Sequence, residues 1–302
     1  MYHINYVARE AIDIAKWDRC IDEAKNGLIY AYSIYLDNMA THWDALVLND
    51  YEAVMPLTWN KKWGIKYLYQ PPFTQQLGIF GRRIINEQDI RSFITIAKEK
   101  FPFAEIFLNA LNPYVETEKK NNYILNLNDG YEKIHASYKK NLLQNLKDSK
   151  KNNLVYSIGM DYKQAIDFYV SRYSNRMPHT TRKDYQRFFK VCDLLNEKKM
   201  LFIRKVSLPN NELLAIALFF KDNKRLYNIM PTTLLKGRGL KANHFLIDEL
   251  IIEFAGKNII LDFEGSDIAG IARFYQQFGS SNEPYYFLRY NNLPWFARLF
   301  KK

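Results

Sequence analysis

The chain shows one order of secondary-structure elements twice, and this repetition constrains its fold more than any other feature. Residues 43–111 follow a pattern that predicts three strands, a helix with Asn86 as its N-cap, and a fourth strand. Residues 199–265 repeat that order with hardly any sequence identity. A chain of 302 residues is also longer than one hydrophobic core usually serves. We therefore expect an α/β fold of two tandem, duplicated domains with mixed sheets, over residues 1–130 and 131–302.

A helical region lies between the two copies. Apolar residues recur there at every fourth position, which predicts a single helix with one apolar stripe. Two further helices are expected over residues 161–177 and 181–199. The stripe consists of Ile134, Tyr138, Leu142 and Leu146, and the rest of that helix carries Lys139, Lys140, Lys147, Lys150 and Lys151.

The charge balance bears on the kind of partner. Lysine and arginine number 43 and aspartate and glutamate 32, which gives a net charge of +11. Such a balance favours an anionic partner, for example a nucleotide, RNA or a phospholipid, although lysine-rich surfaces also serve solubility alone.

Cysteine and histidine usage argues against a metal centre. Cys20 and Cys192 are far apart and form no C-x-x-C pair, and the 5 histidines have no metal-ligand spacing. The N-terminus has no apolar h-region, and apolar runs long enough to span a membrane do not occur. We expect a cytoplasmic protein with no metal and no transmembrane segment.

Residues 234–251 place two glycines and three basic side chains before an amphipathic helix. Gly237 to Ala242 fit the G-x-G-x-x-G/A dinucleotide pattern, yet residues 231–236 separate the preceding strand from the first glycine, whereas that pattern requires a tight turn. A second interpretation is a basic loop that leads into a helix N-terminus and binds pyrophosphate with backbone N–H groups. A third is a solvated loop with no ligand.

Three segments carry a resemblance to a known family. Residues 243–279 comprise a helix, a strand ending in Asp-Phe-Glu-Gly and a closing Ala-Arg-Phe-Tyr…Phe-Gly, and residues 137–154 have the form Ser-x-Lys…Asn-x-x-Lys. Residues 67–80 form an aromatic, proline-containing strand end. Taken in their order along the chain, the three segments resemble the FemAB-like branch of the GNAT N-acyltransferases, and the resemblance covers nearly the whole chain.

The resemblance implies transfer of an acyl group to an amine. The best-known members take an amino acid from aminoacyl-tRNA to build peptidoglycan cross-bridges, and relatives are assumed to use acyl-coenzyme A. It therefore implies acyl-CoA or aminoacyl-tRNA as donor substrate, no tightly bound cofactor, a small amine acceptor of cell-wall or amino-sugar type, and no DNA. Two departures stand out: lysine occupies the last small position of the coenzyme A loop, at Lys241, and the long helical arm of bridge-forming members is missing.

Site residues are expected at the ends of the strands. Asp262 and Glu264 alternate on the last strand of the second copy, so we expect both carboxylates on one face, with one pKa raised to make a base. Tyr275 is the candidate acid. The other reading of these three residues is a turn cap, a solvated carboxylate and a core aromatic. The donor-binding candidates are Lys236, Gly237, Arg238, Gly239, Lys241 and Asn243, and the acceptor-binding candidates are Tyr69, Gln70 and Gln75.

A function of a different class also fits the sequence. A non-catalytic RNA- or nucleotide-binding module that kept this fold would use the net charge of +11 for affinity.

Overall fold

The structure is a computed structural model, and it describes residues 2–159, 161–174 and 179–293. The last three residues of the predicted helix 161–177 and the end of the predicted second domain lie outside the described residues. The described strands are β1 (Ile4–Val7), β2 (His42–Leu48), β3 (Ala53–Lys62), β4 (Ile65–Tyr69), β5 (Phe80–Gly81), β6 (Phe103–Leu108), β7 (Thr117–Lys120), β8 (Tyr123–Asn126), β9 (Val155–Gly159), β10 (Leu201–Ser207), β11 (Leu213–Lys221), β12 (Arg225–Thr233), β13 (Ile260–Asp262), β14 (Ser281–Asn282) and β15 (Tyr285–Asn291). The described α-helices are α1 (Ile14–Glu23), α2 (Ser33–Met39), α3 (Glu87–Lys100), α4 (Tyr131–Ala136), α5 (Lys140–Lys150), α6 (Tyr162–Tyr173), α7 (Arg182–Glu197), α8 (Leu235–Gly239), α9 (Ala242–Phe254) and α10 (Ala269–Gln276), and the 3-10 turns are Arg9–Ala11 and Ile29–Ala31.

The first sheet has the strand order β1-β2-β3-β4-β6-β15-β7, with β5 paired to β3. Its pairs are antiparallel except for β4 and β6. Helix α3 buries Ile90, Phe93 and Ile94 in the core of this unit, as its periodicity predicts. Asn86 is its N-cap, as predicted, and forms a capping box with Asp89.

The second sheet has the order β14-β8-β13-β12-β11-β10-β9. Again one pair is parallel, β12 with β13, and the other pairs are antiparallel. Helix α9 is buried over much of its length because it packs against both β10 and β11 on one side and α5 on another. Three antiparallel strands, a helix and a parallel strand therefore occur in both halves, which confirms the predicted tandem α/β fold with mixed sheets.

Each half of the chain contributes one strand to the sheet of the other half. Residues 2–120, 186–191 and 284–293 form one unit, and residues 121–159, 161–174, 179–185 and 192–283 form the other. Strand β8 adds to the second sheet beside β13, and β15 adds to the first sheet beside β6. The division at residue 130 remains a prediction about the repeats, whereas the compact units divide elsewhere because these two strands are exchanged.

The predicted single helix between the copies is two helices, α4 and α5. The chain leaves the helical path at residues 137–139, where the Lys139 backbone N–H donates to the Gln277 carbonyl at 2.9 Å. The Tyr138 hydroxyl at this break donates to the Asp248 carboxylate at 2.9 Å. All four residues of the predicted stripe are nevertheless buried, so the periodicity identified the buried face and missed the break.

Candidate functional site

The parallel strands β12 and β13 separate after a short paired stretch. They pair only from Arg225 to Tyr227 and from Ile260 to Asp262. Just beyond, the pairing of β12 with β11 skips Ile229, which forms a β-bulge. Bulges disrupt the ladder locally and bend the bulged strand. On the other side Glu264 and Gly265 adopt left-handed conformations, with φ of 63° and 75°, and turn the chain away from β13.

A pocket of about 450 Å³ lies at this split, within the second unit. That volume is in the range of small-molecule sites. Its charged lining residues are one arginine and one glutamate, and the rest are largely aromatic, apolar or neutral polar. The lining residues are Tyr169, Tyr173, Asn228, Ile229, Pro231, Thr233, Arg238, Asn243, Phe263, Glu264, Gly265, Gly270, Ile271, Phe274 and Tyr275.

The corresponding split of the first unit is filled by its own chain. Strands β4 and β6 pair in parallel only at Leu68 and Tyr69. Residues 70–79 then enter the gap, where the Leu77 N–H donates to the Phe107 carbonyl at 2.8 Å and the Leu77 carbonyl accepts from Asn109 N–H at 2.9 Å. Leu77 is buried. The gap that forms a pocket between β12 and β13 is therefore closed between β4 and β6.

The helices that follow the third strand of each repeat also begin differently. At the start of α3, the Asn86 side chain accepts from Asp89 N–H at 2.9 Å, and the Asp89 carboxylate accepts from Asn86 N–H at 3.0 Å. Helix α9 begins at Ala242, and its N-cap residue Lys241 has a φ of 60°, makes no side-chain cap hydrogen bond and is followed by no acidic residue in the first turn. The positive end of the α3 dipole is thus neutralised by its own carboxylate, whereas that of α9 is not.

The predicted donor-binding residues do not form one loop, because residues 235–239 are the short helix α8. Arg238 and Asn243 line the pocket. The Lys236 ammonium instead pairs with the Glu212 carboxylate at 2.6 Å. Gly239 is exposed. Lys241 occupies the left-handed N-cap position that glycine would adopt without strain, which gives a conformational reason for a small residue there.

Gly237 has a structural explanation of its own. It is buried where α8 crosses β11, and a Cβ atom added there would lie 2.2 Å from the Leu214 carbonyl oxygen. That oxygen is also the acceptor for Leu234 N–H at 2.9 Å. The glycine therefore permits close packing of a helix on a strand, and it does not line the pocket.

Asp262 belongs to a buried ion-pair network and not to the pocket lining. It is 1% exposed, and its carboxylate accepts from the Arg225 guanidinium at 2.8 Å and from the Asn122 side chain at 3.3 Å. Burial disfavours the charged form of Arg225, but the charges of Asp262 and Glu283 outweigh it and raise the pKa of Arg225. The network joins β12 and β13 to Asn122, the residue that precedes β8, just before the split.

The alternation of Asp262 and Glu264 predicted that both carboxylates share one strand face, and this prediction was wrong. Strand β13 ends at Asp262, and Glu264 lies beyond it in the left-handed region. The Glu264 backbone N–H donates to the Asp262 carboxylate at 3.0 Å, so Asp262 fixes the turn that places Glu264 at the pocket. Glu264 therefore lines the site and Asp262 supports it.

Tyr275 of α10 also lines the pocket. Its ring stacks on Phe263 with centroids 4.6 Å apart, and the residue is 7% exposed. Burial raises the pKa of its hydroxyl, and the nearby Tyr169 and Glu264 raise it further. Tyr275 therefore remains protonated and available as a hydrogen-bond donor at neutral pH.

The predicted acceptor-binding residues serve the first unit internally. The Tyr69 hydroxyl accepts from Thr41 N–H at 2.7 Å. The Gln70 side chain accepts from Phe107 N–H at 3.1 Å and donates to the Thr74 carbonyl at 3.0 Å, which holds the segment that closes the first split. The Gln75 side chain accepts from that of Gln76 at 2.6 Å. Their proposed contact with an acceptor remains a prediction.

Sequence reasoning missed several pocket residues. Asn228 is 2% exposed, lines the pocket, and has a side-chain oxygen without a hydrogen-bond partner among the described residues. A buried amide without partners is costly unless something binds it. Tyr169 and Tyr173 reach the pocket from α6. The polar Asn228 within an apolar strand was the available signal, whereas nothing in the sequence indicates where α6 packs.

Comparisons with solved structures identify the fold. FemX superposes with a TM-score of 0.68 at 12% sequence identity, and the match covers 96% of this chain and 99% of FemX. The chain therefore has the same fold as FemX. The C-terminal domain of a putative lysylphosphatidylglycerol synthetase from Agrobacterium fabrum matches with a TM-score of 0.55 at 10% identity, over 95% of this chain and 94% of that one.

A tandem GNAT protein from the clavulanic acid biosynthesis pathway matches with a TM-score of 0.52 at 9% identity, over 97% of this chain and 99% of that one. No protein-family profile and no curated protein sequence matches the chain. The resemblance to the FemAB-like branch is thus confirmed at the level of the fold.

The described part of the chain contains neither a helix that could span a membrane nor a cluster of metal-binding side chains. Within residues 2–159, 161–174 and 179–293, every helix is too short or too polar to cross a bilayer. The same residues bring no three metal-binding side chains together.

Proposed function

We propose that the pocket of the second unit transfers an acyl or aminoacyl group from a phosphate-containing donor to an amine. The observation that carries this proposal is the pairing of two chemistries in one pocket. Arg238 and Asn243 lie where α9 begins without a cap, and Glu264 and Tyr275 lie at the split between β12 and β13. A helix N-terminus with an arginine suits a phosphate, and a carboxylate with a phenol suits proton transfer.

The donor acyl group would lie across the bulge at Ile229. A bulge leaves one residue of the strand outside the regular ladder, so backbone groups there are available to bind a carbonyl oxygen. The Asn228 side chain offers a further polar contact in the same place. These contacts would orient the carbonyl carbon toward the acceptor amine.

Proton balance assigns a role to each titratable group. Glu264 takes a proton from the ammonium form of the acceptor, and the free amine nitrogen attacks the acyl carbonyl carbon. The new C–N bond forms as the bond from the carbonyl carbon to the thiolate or ribose oxygen breaks. Tyr275 donates its proton to that leaving group and regains one from the attacking nitrogen.

The comparisons support this proposal without choosing the donor. Structures of the same fold include a tandem GNAT protein described without acetyl-coenzyme A and a putative lysylphosphatidylglycerol synthetase domain. Both acyl-CoA and aminoacyl-tRNA present phosphate to the protein. A cell-wall precursor or amino sugar is the acceptor class that the family resemblance suggests.

Calorimetric titration with coenzyme A, acetyl-coenzyme A and an aminoacyl-tRNA tests the donor site. Arg238→Ala should weaken binding of the true donor by roughly 1–3 kcal/mol, the scale of a charge-assisted hydrogen bond. Lys236→Ala is the matched control. Lys236 lies in the same short helix as Arg238, but its ammonium is paired with the Glu212 carboxylate. Equal affinities of the two variants, or no donor binding by the folded wild type, would contradict the proposal.

The same titration with Lys241 variants identifies which donor the site takes. Lys241→Gly removes the side chain and relieves the left-handed conformation, whereas Lys241→Ala removes the side chain alone. A gain in acetyl-coenzyme A affinity for both variants would show that the lysine side chain excludes this donor. A loss for both would show that it binds the phosphate, and a gain for glycine alone would show a backbone effect.

The alternative function is RNA binding, and one observation favours it. Lys139, Lys140, Lys147 and Lys150 are exposed on and just before α5. Neutralisation of many phosphates makes affinity fall steeply with salt. Tight binding of bulk tRNA with a steep salt slope, together with no transfer activity, would favour this alternative.

A further inference from the structure

The walls of the second-unit pocket are unusually rich in aromatic rings. Five aromatic side chains from three parts of the unit reach it: Tyr169 and Tyr173 from α6, Phe263 after β13, and Phe274 and Tyr275 from α10. Phe263 and Tyr275 are buried, and the others are half-buried. Binding of the donor phosphate does not require these aromatic rings, because phosphate is recognised by N–H groups and cations.

The rings of this aromatic wall form two groups. Tyr169 and Tyr173 lie 5.1 Å apart and nearly edge to face. Phe274 lies 5.7 Å from Tyr275, and Phe263 stacks on Tyr275 with ring centroids 4.6 Å apart. Aromatic faces are negative, and cations within about 6 Å of a ring centroid are attracted to them.

The charge of the lining residues points the same way. Glu264 is the acidic residue of the pocket lining, and its charge is close enough to Tyr275 of this wall to contribute to the raised pKa of that hydroxyl. Arg238, the basic lining residue, belongs to α8 and is the residue proposed to bind the donor phosphate. A carboxylate next to aromatic faces in a partly enclosed site attracts a cation and repels an anion.

We infer that this wall is a recognition subsite for a protonated alkylamine, and that the acceptor enters as an ammonium ion held by Glu264 and the faces of Tyr169, Tyr173 and Tyr275. The inference rests on the proposed function, because the amine so held is the one that loses its proton to Glu264 before transfer. It narrows the acceptor to basic primary amines. Hydroxyl acceptors and weakly basic amide or aryl amines lack the charge that the subsite selects.

The test compares n-butylammonium with n-butanol, which have the same number of heavy atoms and differ in charge, by NMR titration of the full chain at neutral pH. Wild type should bind the ammonium ion at least about five-fold more tightly. Glu264→Gln should reduce that preference, because only the ring faces then attract the cation. Tyr169→Leu should lower ammonium affinity about three-fold or more, whereas Tyr169→Phe, which keeps the ring, should retain it.

Equal affinity of wild type for the two probes, or an unchanged preference in Glu264→Gln, would overturn the inference. Its failure is distinguishable from failure of the proposed function, because donor binding is measured separately with Arg238→Ala and Lys236→Ala. Donor binding with no ammonium preference would refute the subsite and leave the transferase proposal intact. Ammonium preference without any donor binding would support the subsite and contradict the transferase proposal.

Discussion

Glu264→Gln is expected to lower the turnover of acyl transfer by about 100- to 10,000-fold, the range for loss of a positioned general base. Glutamine matches the size of glutamate and tolerates the same backbone, but it cannot accept a proton. Donor affinity should be unchanged, because Arg238 and Asn243, the residues proposed to bind the phosphate, lie apart from Glu264 in the chain and on other elements. Single-turnover transfer from the donor found by calorimetry to a primary amine measures the effect.

The matched control is Glu132→Gln, since Glu132 is an exposed carboxylate at the start of α4. It should transfer as fast as wild type. Asp262→Asn gives a contrasting result, because Asp262 supports the fold of the site, so it should lose stability as well as turnover. Full activity of Glu264→Gln would refute the assigned base, and equal loss in Glu132→Gln would point to a non-specific effect of charge.

Arg225→Met is expected to lower the free energy of unfolding by about 3–5 kcal/mol. The substitution leaves the Asp262 carboxylate, which is 1% exposed, without its buried cation. It also removes the ion pair with Glu283 at 2.8 Å. Chemical denaturation monitored by circular dichroism measures the change.

The double variant Arg225→Met with Asp262→Asn separates the causes. If the buried, uncompensated charge dominates, the double variant should be more stable than Arg225→Met alone. A loss below about 1 kcal/mol in Arg225→Met would contradict the account of a buried network that joins β12 and β13. A double variant as unstable as the sum of the singles would contradict the assigned cause.

The sequence predicted the elements well because their signals are local. The apolar period of Ile90, Phe93 and Ile94 and the capping pattern at Asn86 depend only on neighbours in the chain, and both are confirmed. The break at residues 137–139 was missed, because its cause is a hydrogen bond from Lys139 to Gln277, which is distant in sequence. Strand exchange was missed for the same reason, since β15 has no local mark that shows its partner.

Four of the site residues proposed from the sequence come together, and their roles remain predictions. Arg238, Asn243, Glu264 and Tyr275 lie in one pocket, because they follow strand and helix ends that the pattern located. Strand alternation placed Asp262 beside Glu264 on one face, but a left-handed turn of the backbone separates them. Nothing local distinguishes a strand split that is open from one that is filled.

The asymmetry of the two repeats gives the duplication a functional meaning. In the first unit, Leu77 fills the split, and Asn86 and Asp89 form a capping box at the start of α3, so the chain itself occupies both places. In the second unit, the split opens at Ile229 and the helix after Lys241 has no side-chain cap. We therefore expect one repeat to bind the donor and the other to support the fold.

Hydrogen–deuterium exchange of the full chain, with and without the donor identified by calorimetry, tests this claim most directly. Backbone amides that bind a ligand or lie beneath it exchange more slowly in the complex. If the second repeat binds the donor, we expect slower exchange in residues 228–233 and 242–246 and no change in residues 68–81. Protection of residues 68–81 with none in the second unit would contradict it.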